Sequence, residues 1–445
     1  MTKVTRRKLI KSGTAAAATA MVSPALLDGA KAWAASSPWQ PESGASLRLM
    51  RWSKWIDSED VAFNKNVAAF EAATGVRVRV DSEWLDDVQP KAAVAANIGS
   101  GPDIVWGMLG FAHLFPEKLV DVSDLAMYLG TKHGGWYPIA EKYGKWGNQW
   151  ITIPWSTGGN YLNYRKSMCG DVGYDKFPTT TDAYLDMARK LKKKGIPIGH
   201  ALGHATGDGN LGWQSMMWAF GSFMVNEEGT KVTINSKQTV EALKWAKELS
   251  SNFIKGCPSW GDGHNNKAFL DEQVSVTNNG ISIYVKALTE GQKGNARLAN
   301  VAKDMDHASW PIGPIGKQIE LQFSQPMCIF KHTKYPNAAK AFIAFMLEKK
   351  QYNHWLGESK GYFTHTLYDY DSHPVWDSDP KIGPFEFTSK NSEAVGYPGP
   401  LGYAAAAVLA DFVLIDMIAS ACTGSETPQE AAKTAEKRAN RYYRV

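Results

Sequence analysis

Phe70-Glu71-Ala72-Ala73-Thr74-Gly75-Val76-Arg77-Val78-Arg79-Val80 changes its period in mid-stretch. Upstream, Val61, Val67, Ala68 and Phe70 recur at helical spacing over 60–74, and Gly75 stands where a helix stops. Downstream, Val76 to Val80 alternates valine with arginine, the pattern of a strand with one buried face. Working outward, 47–52 reads as a strand ahead of that helix and 86–97 as a second helix. Behind the turn Gly99-Ser100-Gly101-Pro102 comes the apolar strand Ile104-Val105-Trp106. Strand–helix–strand–helix–strand predicts an α/β domain with much parallel pairing.

The rest of the chain continues in the same style. Residues 151–154 and 161–164 read as extended. Helices are expected over 182–194, 212–223, 236–251, 337–347 and 429–442, the third capped by Ser236. Short strands are expected at 274–277 and 308–311, and glycine and proline make 373–402 a region of long loops. No internal repeat is visible. So long a chain exceeds what one core serves, so two lobes are expected.

The N-terminus reads as an address rather than as fold. Thr5-Arg6-Arg7-Lys8-Leu9-Ile10-Lys11 is a twin-arginine core, an alanine-rich run follows over 15–27, and Ala32-Trp33-Ala34 is a small-x-small cleavage site. This predicts a 1–34 twin-arginine signal peptide, cut near Ala34, and a periplasmic protein. No cysteine follows the cut, which argues against a lipid anchor. The leader holds six of the 49 basic residues and one of the 44 acidic ones, so the remainder balances at 43 of each. Nucleic-acid binding needs concentrated positive charge, and that excess is missing. Lys192-Lys193-Lys194 reads as a solvated helix end. No further apolar stretch reads as long enough to cross a bilayer.

Cys169, Cys257, Cys328 and Cys422 show no C-x-x-C spacing, which excludes zinc-ribbon and thioredoxin-like motifs. Unpaired, mostly buried thiols are expected, with one disulfide as the alternative. Seventeen tryptophans are many for this length. Some must be core, but indole faces also suit the C–H patches of sugars.

Seven segments, in order, resemble the family 1 extracellular solute-binding proteins of ABC importers, of the carbohydrate, maltodextrin-binding type. They are 70–78, Gly99-Ser100-Gly101-Pro102-Asp103-Ile104-Val105, 145–166, 177–184, 226–242, Trp310-Pro311-Ile312-Gly313-Pro314 and 423–435. The resemblance implies a two-lobe α/β periplasmic-binding-protein fold (type II) with a ligand cleft between the lobes. Lobe 1 would be 46–154 plus 312–365, and lobe 2 would be 155–311 plus 366–445. Hinge crossings would lie at Ile153-Pro154, at Trp310-Pro311 and over 362–367. It implies capture of a sugar or polyol by lobe closure and delivery to the permease subunits of an ABC transporter. It also implies a monomer, with no enzyme activity, cofactor or metal.

Ligand contacts are expected at the carboxyl ends of strands. Those positions are Trp52, Lys54, Trp55 and Asp57, then Trp106, then Trp155, Thr157 and Asn160. The resemblance adds Trp213, Gln214, Asn278, Asn279, Tyr284 and Tyr397. Trp84, Trp218 and Trp245 read as core. Lys54 is the one cation placed in the cleft, so anionic solutes rank lower. Where the maltodextrin type has a charged cluster, this chain has Trp106-Gly107-Met108-Leu109, so maltodextrin itself is not carried over.

Two other patterns carry little. Gly207-Asp208-Gly209-Asn210-Leu211-Gly212 fits the G-x-G-x-x-G dinucleotide fingerprint, but no clear βαβ unit surrounds it. His200 and His204 are four apart, but the glycines between and beside them oppose a helix. Competing readings are the same scaffold with a glycerol phosphate, an amino compound or a metal chelate, and an exported carbohydrate-active enzyme.

Overall fold

The computed structural model describes residues 24–444. Eight strands build its two main sheets: β1 (Ser46–Trp52), β2 (Arg77–Glu83), β3 (Ile104–Trp106), β4 (Ile153–Gly158), β5 (Tyr161–Arg165), β6 (Val276–Asn279), β7 (Met305–Ala308) and β8 (Phe323–Ile329). The first sheet runs β2-β1-β3-β8-β4. Strand β1 lies parallel to β2 and β3, as the strand–helix order requires, while β8 returns antiparallel between β3 and β4. The second sheet, β6-β5-β7, is antiparallel. Both halves thus fall on either side of the β4–β5 connection, Gly159-Asn160.

The helices used below are α1 (Pro24–Ser36), α2 (Asp57–Thr74), α3 (Leu85–Ile98), α4 (Thr181–Lys193), α5 (Asp208–Ala219), α6 (Lys237–Ser250), α7 (Pro336–Met346), α8 (Lys349–Glu358), α9 (Tyr403–Ala410), α10 (Val413–Thr423) and α11 (Pro428–Ala439). Most match the sequence periods within a few residues. Helix α2 stops at Gly75, whose φ of 76° only glycine adopts without strain. The expected 308–311 strand is displaced to β7, and the expected 212–223 helix begins four residues early, at Asp208.

The core of the first sheet is aromatic. Trp52 and Trp106 lie 4.7 Å apart between ring centroids, Trp106 and Trp155 5.7 Å, and Trp155 and Trp355 5.3 Å. All four are fully buried. A buried ion pair sits among them. The Arg51 guanidinium donates to both Glu59 oxygens at 2.9 and 3.0 Å and lies over the Trp106 ring at 4.4 Å. The Trp355 indole N–H donates to the same carboxylate at 2.7 Å. This corrects three expectations. Trp52, Trp106 and Trp155 are packing residues, because strand ends that look open in sequence are covered here by α2, α8 and Phe363.

Helix α1 occupies part of the expected leader. Ala30 is buried, the Trp33 indole donates to Glu348 at 2.9 Å, and its ring meets Phe345 edge-on at 5.0 Å. The twin-arginine core lies outside the described residues. Among the described residues one segment, Tyr403–Thr423, is long and apolar enough to cross a membrane by length and composition, against expectation. It is two helices, α9 and α10, broken at Phe412 with φ 51°, and Val413, Ile415 and Ile418 are buried in the fold. All four cysteines are free thiols.

Replacing Trp106 by Ala should destabilise the fold by roughly 3–5 kcal/mol, the usual penalty for emptying a large core site. Guanidinium denaturation followed by circular dichroism checks this; an unmoved midpoint would place Trp106 outside the core.

Candidate functional site

A narrow cavity of about 40 Å³ opens between the two sheets. The first sheet's half contributes Trp55, Leu85, Gly158, Phe323, Gln325 and Tyr362. The second contributes Asn160, Asp208, Asp262, Asn266, Asn279 and Ser282.

Its polar wall is built on the start of α5. That helix lacks a Ser, Thr or Asn cap of its own, since Gly207 precedes it. Asp262 supplies the cap from 55 residues away: its carboxylate accepts the N–H of Gly207 and of Asp208, both at 2.8 Å. The first-turn Asp208 then carries the asparagines. Its carboxylate accepts from Asn160 and Asn265, each at 2.7 Å, and from Asn279 at 3.3 Å. Asn278 stands behind this layer, donating to the Asn160 side chain at 3.2 Å and to the Asp208 carbonyl at 2.8 Å. Its own oxygen meets His200 at 2.8 Å. Asn279 also contacts Asn266 at 2.5 Å and accepts from Ser282 at 3.1 Å.

The opposite wall comes from a defect in β8. The β4–β8 register slips between Gln325 and Pro326, and Pro326 faces Pro154, so neither has an N–H for the ladder. Gln325, one of the lining residues, accepts from Ser156 at 2.7 Å through Oε1, while its buried Nε2 has no protein partner. Trp55 packs at 5.7 Å from Trp84 and reaches across to Gly263. A Cβ on Gly263 would stand 3.2 Å from that indole, and its φ of 94° already demands glycine. A second bridge joins the halves: Asp86 on α3 accepts the Thr206 N–H at 3.2 Å.

Burial dominates the electrostatics. It pushes the Asp208 carboxyl up to about 7, against the lowering pull of the Asn265 and Asn160 amides. Burial, then the charges of Asp208 and Asp86, raise Asp262 as well. His200, enclosed beneath the wall, is pushed down to about 4.

The sequence candidates therefore scatter. Trp55, Asn160 and Asn279 line the cavity, and Asn278 backs it. Thr157 is tied to Ser389 and to the 362–367 segment, whose Thr364 exchanges backbone hydrogen bonds with it at 2.7 and 2.8 Å. Lys54 and Asp57 form a solvent-exposed pair at 3.0 Å, which corrects the expectation of a cation in the cleft. Trp213 is pinned by its indole to the Ala201 carbonyl at 2.8 Å, in the core of the second half, and Gln214 is buried beside it on α5. Tyr284 donates to Asp379, away from the cavity, and Tyr397 packs on Trp218 in a separate groove. Trp84, expected as core, is half exposed. Ile153 and Pro154 open β4. Trp310 and Pro311 sit beside the second sheet, with the Trp310 indole on the Asn160 carbonyl at 2.9 Å, and the chain rejoins the first sheet only at Phe323.

Asp208, Asp262, Asn265, Asn266, Ser282 and Gln325 were not singled out from sequence. The glycine fingerprint at 207–212 held the signal, since it opens α5. A carboxylate from Asp262 already occupies the helix start where a dinucleotide phosphate would sit. His200 and His204 diverge, the latter pairing with Asp416 at 2.8 Å. Among the described residues no cluster of His, Cys, Asp or Glu could hold a metal ion.

A sequence profile described as bacterial extracellular solute-binding protein matches residues 65–384. Similar solved structures include T. maritima MalE3 with maltose bound, at 18% identity and TM-score 0.76 over 89% of this chain and 99% of that one. An ABC transporter solute-binding protein from Thermotoga lettingae, bound with α-D-tagatose, aligns at 21% identity and TM-score 0.75 over 90% and 100%. Another, from Agrobacterium radiobacter in complex with ribitol, aligns at 18% and 0.74 over 90% and 99%. No curated protein sequence matches the chain.

A carboxyl raised on folding keeps a proton that the unfolded chain releases near about pH 4. Stability from Asp208 is therefore full below that pH and lost as pH rises through about 7. The melting temperature without added solute should fall between pH 5 and pH 8, and Asp208→Asn should flatten the slope. An unchanged slope in the variant would contradict the assignment.

Proposed function

Since the chain belongs to the bacterial extracellular solute-binding protein family, we propose that it captures a sugar or polyol between its lobes and delivers it to the permease of an ABC importer. The carrying observation is the wall of the cavity between the sheets, where amides, a hydroxyl and two carboxylates face the rings of Trp55, Phe323 and Tyr362. Hydroxyl groups need both donors and acceptors, and the C–H faces of a sugar stack on rings. Maltose, tagatose and ribitol in the structurally similar proteins agree with such a solute.

The work is binding without covalent chemistry. In this reading one lobe carries the sheet of β1 to β4 and β8, and the other the sheet of β5 to β7. Closure turns on Ile153-Pro154, on the entry into β8 and on 362–367, where few residues need change their backbone angles. Solute held by both halves favours the closed form, which the permease reads. The ligand contacts are Trp55, Asn160, Asn279 and, newly, Asp208, Asp262, Asn266, Ser282, Gln325 and Tyr362. The protein acts as an exported monomer, sent by the twin-arginine route.

A thermal-shift screen should find a sugar or polyol that raises the melting temperature, because only the native state binds it. Trp55→Ala should then weaken that solute at least tenfold, about 1.4 kcal/mol, without changing the far-UV spectrum. Amino acids or metal ions shifting the melt where no carbohydrate does would reject the reading.

A further inference from the structure

We infer that the solute carries a protonated amine beside its hydroxyl groups, as an amino sugar or amino polyol does. The inference rests on the polyhydroxyl reading and narrows it.

The cavity is lined by two carboxylates, Asp208 and Asp262, and by no Lys or Arg. Outside the lining, Asp86 accepts the Thr206 N–H at 3.2 Å, and its charge adds to the field on both acids. None of the three has an ion-pair partner among the described residues. The basic groups near this end of the first sheet are committed elsewhere: Arg51 to Glu59, Lys54 to Asp57 and Lys91 to Glu83. Buried negative charge without a counter-charge is costly, and a cation brought by the solute would offset that cost.

The hydrogen-bond inventory agrees. An ionised carboxylate offers about four acceptor positions. A cation beside the pair would draw both carboxyls back toward the charged form; with three amide donors on Asp208 and two backbone N–H groups on Asp262, about three acceptor positions would then remain for it. An ammonium group has three donors and no acceptor. The far wall asks for the opposite. Gln325 is fully buried, and its Nε2 has no protein partner and needs an acceptor such as a hydroxyl or ring oxygen. Trp55 and Tyr362 between them suit either part, since ring faces attract cations as well as C–H groups. One end of the solute donates and is positive, and the other accepts and is neutral. A phosphate or carboxylate would add negative charge beside two buried acids that already resist ionising, and ranks below an amine.

The test is isothermal titration of the full purified chain at pH 7.5 with neutral solutes, each paired with its amino-deoxy counterpart. The pairs are glucose and glucosamine, galactose and galactosamine, mannose and mannosamine, and sorbitol and glucamine, with putrescine as an amine lacking hydroxyls. At least one amine should bind tenfold or more tightly than its neutral partner. Asp208→Asn should shrink that ratio to about threefold or less, and Asp262→Asn should do the same should the first variant fail to fold. Equal or tighter binding of the neutral partners would overturn the inference and leave the sugar reading standing. Putrescine binding alone, or no binding at all, would overturn both.

Discussion

One capping interaction sets the geometry of the site: the Asp262 carboxylate on the N–H groups of Gly207 and Asp208. Helix α5 has no side-chain cap of its own, so this contact decides where it starts. Starting at Asp208, the helix turns that carboxylate toward Asn160, Asn265 and Asn279, which come from a loop, a helix and a strand of the second half. Three amides on one buried carboxylate hold the wall rigid. Starting at Gly212, as the periodicity suggests, the same wall would not form. The cost of burying two acids is real, and the raised carboxyls record it.

The first half solves a different problem with different chemistry. Its tryptophans interlock around Arg51 and Glu59, and this packing makes a stiff platform from which Trp55 and Gln325 project. Pro154 and Pro326 face each other in β4 and β8, so the ladder lacks two N–H donors there.

Much of the fold could be read from the chain. The change of period at Gly75, the apolar strand 104–106 and the helix capped by Ser236 all stand as expected, because their signals are local. The site was less legible, for two physical reasons. An indole in a core and an indole on a ligand wall share one apolar signature, so Trp52, Trp106 and Trp155 were set beside Trp55 although only Trp55 reaches the cavity. The cap at Asp208 depends on a residue far along the chain, and no periodicity reports such a contact. Gly207 to Gly212 was visible as a pattern, but its partner was not. The expected 1–34 leader shows the same limit, since residues 24–34 lie in helix α1, whose Trp33 reaches Phe345 and Glu348 in α7 and the turn beyond it.

Hydrogen–deuterium exchange with and without a bound solute tests the central claim most directly. If a small solute bridges the two halves at the capped start of α5, protection should rise together in three places: around 157–160, around 206–209 with 262–266, and at 279–282 with 362. Protection confined to one half, or rising only in the groove around Tyr397, would contradict the account.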